Sequence, residues 1–326
     1  MTYYDPLRPN RSVGVVSEYE FVRGNKSVLI YMLPEMKFIT EIEVGERPDC
    51  HSTTQDGKYL YIACGDGLHA IDISERRVIK HYDFGHVYGT NILPGGKIMF
   101  LHDHFGGILV VENIDDPMNL KIKQRLDIIG TNTAKETLGG KGDIRGNSYI
   151  CCGWVNPCLY EISLSDYSFR RLTEFDERLA SSDDLVLSPG LNTAYCACHS
   201  DNGTVVAVDM KSLQVKKIYP SGKGTCGLAS LKDRRYVAAS NDGEMSVTII
   251  DTVTEEIYGV FSASPAFEKL GFNGRIQGIT GTLEDEIFVY DCSGEGALVR
   301  FSVLGRCESN KSATVSCKTG CINITL

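Results

Sequence analysis

Short apolar runs recur along the whole chain, separated by turns rich in glycine, asparagine and aspartate. Within the runs, β-branched and aromatic residues dominate, and convincing helical periodicity is almost absent, which predicts strands. One pattern returns as a unit: an apolar strand, a tight polar turn, a second apolar strand, another turn, then an amphipathic strand. The second apolar strand shows the unit best, at residues 28–33, 68–73, 108–111, 159–162, 205–209, 247–251 and 298–301. That makes seven copies, about 40 to 50 residues apart. The strand before it is equally plain at 59–64, 98–101, 149–152, 194–197, 236–239 and 287–290. The turns leading into these carry turn chemistry, as in Asp56-Gly57, Pro94-Gly95-Gly96, Gly146-Asn147 and Pro189-Gly190.

A sheet unit with this period predicts an all-β fold, a seven-bladed β-propeller of four-stranded blades filling residues 1–326 as a single domain. With strands lettered A to D outward from the axis, the first unit starts at strand B, in residues 13–22. The last unit is followed by a spare apolar strand, 321–326. That strand is expected to supply the missing strand A of the first blade, closing the ring and leaving no open sheet edge.

An aspartate follows the apolar run at Asp72, Asp209 and Asp251. Together with Asp56-Gly57-Lys58-Tyr59-Leu60-Tyr61, this resembles the surface-layer (YVTN) and lactonase-type propeller superfamily over most of the chain. These motifs are structural, so the resemblance implies a fold and no activity. The Trp-Asp dipeptide of WD40 repeats is absent, since the single tryptophan, Trp154, precedes Val155.

Composition narrows the function classes. The chain has 33 basic and 42 acidic side chains, a net charge of −9, and an isoelectric point near 5.3. Nucleic acid is therefore not an expected partner. No apolar run approaches the length of a membrane-spanning helix, so no membrane span is expected. Cysteine is abundant, with 12 residues. An even count suits disulfides in an oxidising compartment, and the acceptor tripeptides at Asn10, Asn25, Asn202, Asn310 and Asn323 point to N-glycosylation there. The first residues lack the apolar core of a signal peptide. The expectation is a secretory-route or extracellular protein whose leader was removed, with a cytoplasmic protein carrying free thiols as the alternative. Cys50 and Cys64 stand nearly equidistant from the Asp56-Gly57 turn, which predicts a pair facing across one ladder. Cys307, Cys317 and Cys321 cluster at the expected closure.

Antiparallel geometry puts the B–C loops and D–A links on one face of the ring. This face carries most of the chemistry and both long links, 129–140 and 264–272. The latter has Ser264, Pro265 and Gly271 placed to start and stop a short helix. Long loops over a funnel mouth suggest a lid, so the ligand site is expected at this end of the axis. Its candidate residues are the aromatic side chains Trp154, Tyr88, Phe105, Phe267 and Phe272, the amides Asn91, Asn156 and Gln277, and as catalytic groups Arg275, His104 and His51. His199 belongs to the same face. Asp49, Asp143, Asp183 and Asp184, with Asn241, would also suit a divalent ion, although no cofactor or metal is the expectation.

An aromatic wall with a few amides and one guanidinium suits a flat, largely apolar organic substrate. The size, acceptor sites, cysteine content and aromatic face resemble the fungal propeller hetero-Diels–Alderases, which join a tropolone quinone methide to a sesquiterpene alkene. That resemblance implies cofactor-free catalysis in secondary metabolism, by holding both reactants in a reactive pose and polarising a carbonyl. A metal-dependent lactone hydrolase and a non-enzymatic interaction propeller are the alternatives.

Overall fold

The computed structural model describes residues 19–128, 136–174, 176–231, 234–270, 275–281, 286–291, 297–302, 312–317 and 320–325. Among these, the strands form seven antiparallel sheets arranged around an axis. Five sheets have four strands, one has five, and the first, Tyr19–Arg23, Ser27–Met32 and Lys37–Glu43, has three. Six sheets thus reach blade size, where seven four-stranded blades were expected.

The expected closure is also corrected. The last strand, Gly320–Thr325, pairs with its predecessor Ser312–Cys317 at the outer edge of the final sheet, not with the first. Only two residues separate these strands, so a local hairpin closes a far smaller loop than a pairing across the ring would. The first and last sheets meet by packing instead, with Tyr19–Arg23 against Glu286–Asp291.

The repeated aspartates close the C–D hairpins. Asp209 Oδ1 accepts the amides of Lys211 and Ser212 at 2.9 and 2.7 Å. Asp72 and Asp251 accept amides two or three residues on in the same way. These bonds mimic a backbone turn and, stabilising the charged form, hold all three carboxyls below their usual range. The core lies between neighbouring sheets: Tyr61 and Leu68 of one pack with Leu101 and Leu109 of the next, and Phe100 with Tyr149 and Tyr160 beyond.

The inner strands of the six larger sheets are His51–Thr53, Val87–Ile92, Asp143–Arg145, Ser182–Leu187, Thr225–Leu231 and Ile276–Gly281. A buried ion pair crosses between two of these sheets. Arg234 Nη1 is 2.8 Å from Asp143 Oδ2 and also donates to the Leu187 carbonyl. The helix expected after Ser264 is present as Ser264–Leu270. It is no lid, because Phe267 is buried in the core with Phe261, Val289 and Phe301.

The expected Cys50–Cys64 disulfide is not formed, and the eight cysteines whose side chains are described are free thiols. His51 faces Ile62 across the ladder, and the Cys50 carbonyl accepts the Ala63 amide while the Cys50 amide turns to the Tyr88 carbonyl of the next sheet, so Cys64 stands one residue out of register. A slip of one residue turns a side chain to the other face of a sheet. Cys307 lies outside the described residues; Cys317 faces Gly320, and Cys321 faces Ser316.

Candidate functional site

At the near end of the axis, four inner strands lose register with their neighbours. The slips fall between Val87 and Gly89, Ser182 and Leu185, Thr225 and Leu228, and Ile276 and Gly278. A bulge leaves residues outside the ladder and re-aims their side chains. Those released here are Tyr88, Asp183, Asp184, Cys226, Gly227 and Gln277, and all six border one cavity of about 500 Å³. The cavity sits on the face of the D–A links and B–C loops. Its wall is completed by Asp49, Cys50 and His51, by Gly140 and Lys141, and by Arg23, Arg47, His86, His104 and Trp154.

Asp183 is the most tightly defined of these groups. Its Oδ1 accepts the Gly140 amide at 3.0 Å and its Oδ2 accepts the Cys226 thiol at 2.6 Å. Burial, and Asp184 beside it, push its pKa up to about 7 despite these bonds. Asp184 turns the other way, its Oδ2 accepting the Leu228 amide at 3.0 Å. Burial, and the nearby carboxylates, push the thiols of Cys50 and Cys226 well above their ordinary value, so both are protonated. Burial, with Lys141 and Arg23 adding to it, lowers His51 to about 3, leaving a neutral imidazole. Arg23 itself bridges Asp49 at 3.2 Å and hydrogen-bonds Gln277.

Aromatic rings form the rim. His86 and His104 stack at 4.1 Å, Tyr88 meets the edge of His104 at 6.1 Å, and Phe105 meets it at 5.4 Å. The Tyr88 hydroxyl is buried and has no hydrogen-bond partner among the described residues. Trp154 approaches His199 at 6.2 Å on the opposite side.

The loops are held by a second set of buried polar groups. Glu136 accepts the amides of Val155 and Asn156, the Asn156 side-chain amide and the Tyr160 hydroxyl. It thereby fixes the loop that carries Trp154. Burial lowers His102 to about 4, so its ring is neutral. His102 Nδ1 donates to the Gly139 carbonyl at 2.6 Å while Tyr149 donates to Nε2 at 3.1 Å. Gly139 needs to be glycine, because a Cβ there would lie 1.8 Å from the Asp183 carbonyl oxygen.

Of the residues singled out from sequence, the structure brings His51, His104, Tyr88, Trp154 and Gln277 to the cavity, with Asp49, Asp183 and Asp184. Others are placed elsewhere. Arg275 is engaged with the buried Asp242, its Nε 2.9 Å from Oδ1, and it borders a separate groove with His199. Asn91 is buried beneath the cavity, Asn156 serves Glu136, and Asn241 holds Thr225 and Thr248. Asp143 is taken by Arg234. Phe105 is 73% exposed beside the cavity rather than lining it. Phe272 lies outside the described residues. Asn25 and Asn202 are exposed turn residues; Asn10 and Asn310 lie outside the described residues, and Asn323 lies in the last strand. Sequence reading missed Cys226, Lys141, His86 and Arg23, whose only signal was their place at the ends of predicted strands.

No protein-family model and no curated protein matches the sequence. Solved structures do match by shape. The β-propeller domain of Cps50 (Swd1) from Myceliophteria thermophila superposes at a TM-score of 0.67 and 12% identity, over 92% of this chain and 98% of that one. Hydrazine synthase from Kuenenia stuttgartiensis gives 0.62 and 15%, over 93% and 98%. Dihydro-heme d1 dehydrogenase NirN in complex with DHE gives 0.60 and 12%, over 99% and 80%. At these identities the likeness is one of fold, and it shows a β-propeller. Among the described residues, no helix is long and apolar enough to cross a membrane.

Proposed function

We propose that the chain is an enzyme that binds a small organic molecule in the axial cavity and acts on it with Asp183 as proton carrier or hydrogen-bond donor. The observation that carries this reading is the position of Asp183 in the cavity wall, with a carboxyl group that exchanges its proton near neutral pH. Tyr88 and Trp154 supply flat walls, and the unpartnered Tyr88 hydroxyl is a donor awaiting an acceptor. A cofactor-free cyclisation of the hetero-Diels–Alderase kind fits this arrangement if protonated Asp183 and Tyr88 polarise the reacting carbonyl. Arg275, held by Asp242, would not do so. The cavity also carries Arg23, Arg47 and Lys141, which favours a substrate with polar or anionic groups beside its flat portion. The free thiols favour the cytoplasmic alternative over the secretory route.

Phe105, exposed on the same face, is the observation favouring a second reading, an interaction propeller that offers its rim to a protein. One experiment separates the two. The single tryptophan borders the cavity, so its fluorescence reports what enters. Titration with a panel of flat lactones and enones, coumarin among them, is expected to give saturable quenching that weakens severalfold in Tyr88→Phe and Asp183→Asn. Silence to the whole panel, with both variants folded, would count against the enzyme and for the rim.

A further inference from the structure

A second cluster of reactive side chains lies away from the cavity wall, at the turn between the strands Tyr59–Cys64 and Gly67–Asp72. One ligand atom from each of Cys64, Asp66 and His69 lies within 4.8 Å of the others. His69 Nε2 is 3.2 Å from Asp66 Oδ1. His81, the register partner of His69 on the next strand, stacks on its ring at 4.4 Å and brings its own Nε2 to 3.9 Å from Asp66 Oδ2. A thiol, a carboxylate and two imidazoles therefore converge on one turn.

We propose that this turn is a binding site for a divalent ion of the zinc class, with Cys64, Asp66 and His69 as ligands and His81 as the fourth. Zinc sits about 2.0–2.3 Å from sulfur, nitrogen and oxygen donors in a tetrahedron, so its ligands must come within about 4 Å of each other. Cys64, Asp66 and His69 already hold one ligand atom each within 4.8 Å of the others, and His81, whose Nε2 is hydrogen-bonded to the Asp66 carbonyl at 2.9 Å, would complete the set by turning from that carbonyl to the ion. Thiolate and imidazole together select zinc over magnesium or calcium, which take oxygen donors.

The backbone is shaped for the cluster. A Cβ on Gly45 would fall 1.8 Å from Asp66 Oδ1 and 2.5 Å from His69 Nε2, so the link passes directly over the donors. The Gly45 amide hydrogen-bonds the Cys64 sulfur, the kind of outer contact that stabilises a metal-bound thiolate. The link has a further consequence. It is tied to the turn by the amide of Gly65 on the Glu46 carbonyl and by that of Asp49 on Ala63. It then delivers Arg47, Pro48 and Asp49 to the cavity wall. An ion in the turn clamps that wall from outside.

The test is titration of the full chain with zinc chloride, followed by calorimetry, and with cobalt(II), followed by absorbance. The expected result is one ion per chain and the charge-transfer band of a cobalt–thiolate bond. Cys64→Ser should abolish the band and weaken zinc binding about tenfold or more, and Cys158→Ser should leave both unchanged. Asp66→Asn, at a half-buried turn position, should weaken zinc binding comparably and keeps the test decisive should Cys64→Ser fail to fold. The proposal is overturned if the wild-type chain binds no zinc at a one-to-one ratio. It is equally overturned if Asp66→Asn keeps wild-type affinity.

Discussion

Cys226 donates its thiol hydrogen to Asp183 Oδ2 at 2.6 Å, setting a neutral donor against a carboxyl group whose other oxygen takes the Gly140 amide at 3.0 Å. The contact joins two inner strands that are consecutive around the axis and that both bulge at this level. It explains how a carboxyl can stand in the cavity wall without a cation bound to it. Burial raises its pKa, and the two donors limit the rise.

The first prediction concerns this group. In the unfolded chain Asp183 loses its proton near the ordinary value of 3.8, whereas in the folded chain it holds it to about 7. Its contribution to stability is therefore complete below pH 4 and is lost as pH rises from about 4 to about 7. Asp183→Asn removes that slope. Relative to wild type, the variant should be near neutral at pH 4. It should gain on the order of 1–2 kcal/mol by pH 8, after allowance for screening by water in the cavity. Urea unfolding at the two pH values measures the difference, and an equal gain at both would contradict the assignment. Any turnover that uses the protonated carboxyl should fall above pH 7 in wild type and be absent in the variant.

Glu20 offers the same logic without the cavity. It is 3% exposed, and burial pushes its pKa up to about 8, with the Thr280 hydroxyl at 3.4 Å easing the rise. Stability falls as pH climbs from about 4.5 to about 8, because only the unfolded state then releases the proton freely. Glu20→Gln should match wild type at pH 4 and exceed it at pH 8 by on the order of 2 kcal/mol. Unlike Asp183→Asn, it should leave ligand-induced quenching of Trp154 unchanged.

The hairpin frame was readable because its signals are local. Asp72, Asp209 and Asp251 each close a turn within three residues, and the apolar runs needed only their own alternation to declare strands. The site was not local. Tyr88 and Asp183 could be nominated from their place on a face, but Cys226 looked like a core residue and Lys141 like a link residue. What exposes them is a slip of register at the start of an inner strand. That slip depends on how neighbouring inner strands meet, as in the paired backbones of Lys141 and Asp184. Arg275 misled for the converse reason, since its partner Asp242 lies 33 residues away in the preceding sheet. The closure misled because an apolar strand does not state its partner, and the nearer one won.

Glu136 gives a prediction about the wall that holds Trp154. Its buried carboxylate satisfies two backbone amides, the Asn156 side chain and the Tyr160 hydroxyl. Glu136→Ala strands these donors, each unsatisfied one costing about 1–3 kcal/mol unless water reaches it. The expected loss is on the order of 3 kcal/mol, accompanied by a red shift of the tryptophan emission as its loop loosens. Glu136→Gln retains one oxygen acceptor and should lose less. A variant with full stability and unshifted emission would show that the loop stands without this anchor.

The last prediction concerns the buried ion pair between Asp143 and Arg234. Asp143 and Arg234 are 2% and 3% exposed at the side chain and meet at 2.8 Å, and the same carboxylate also accepts the Leu187 amide at 3.0 Å. Removing one member of such a pair leaves the other charge buried and unanswered, at a cost of about 3–5 kcal/mol. Asp143→Asn and Arg234→Met should each destabilise on that scale. The double variant Asp143→Asn/Arg234→Met should recover most of the loss, because a neutral pair has no desolvation penalty to offset. A double-mutant cycle by urea unfolding measures the coupling. If the pair were instead a weak surface contact, the two single losses would be small and would simply add. Because neither residue borders the cavity, the double variant should bind cavity ligands as wild type does.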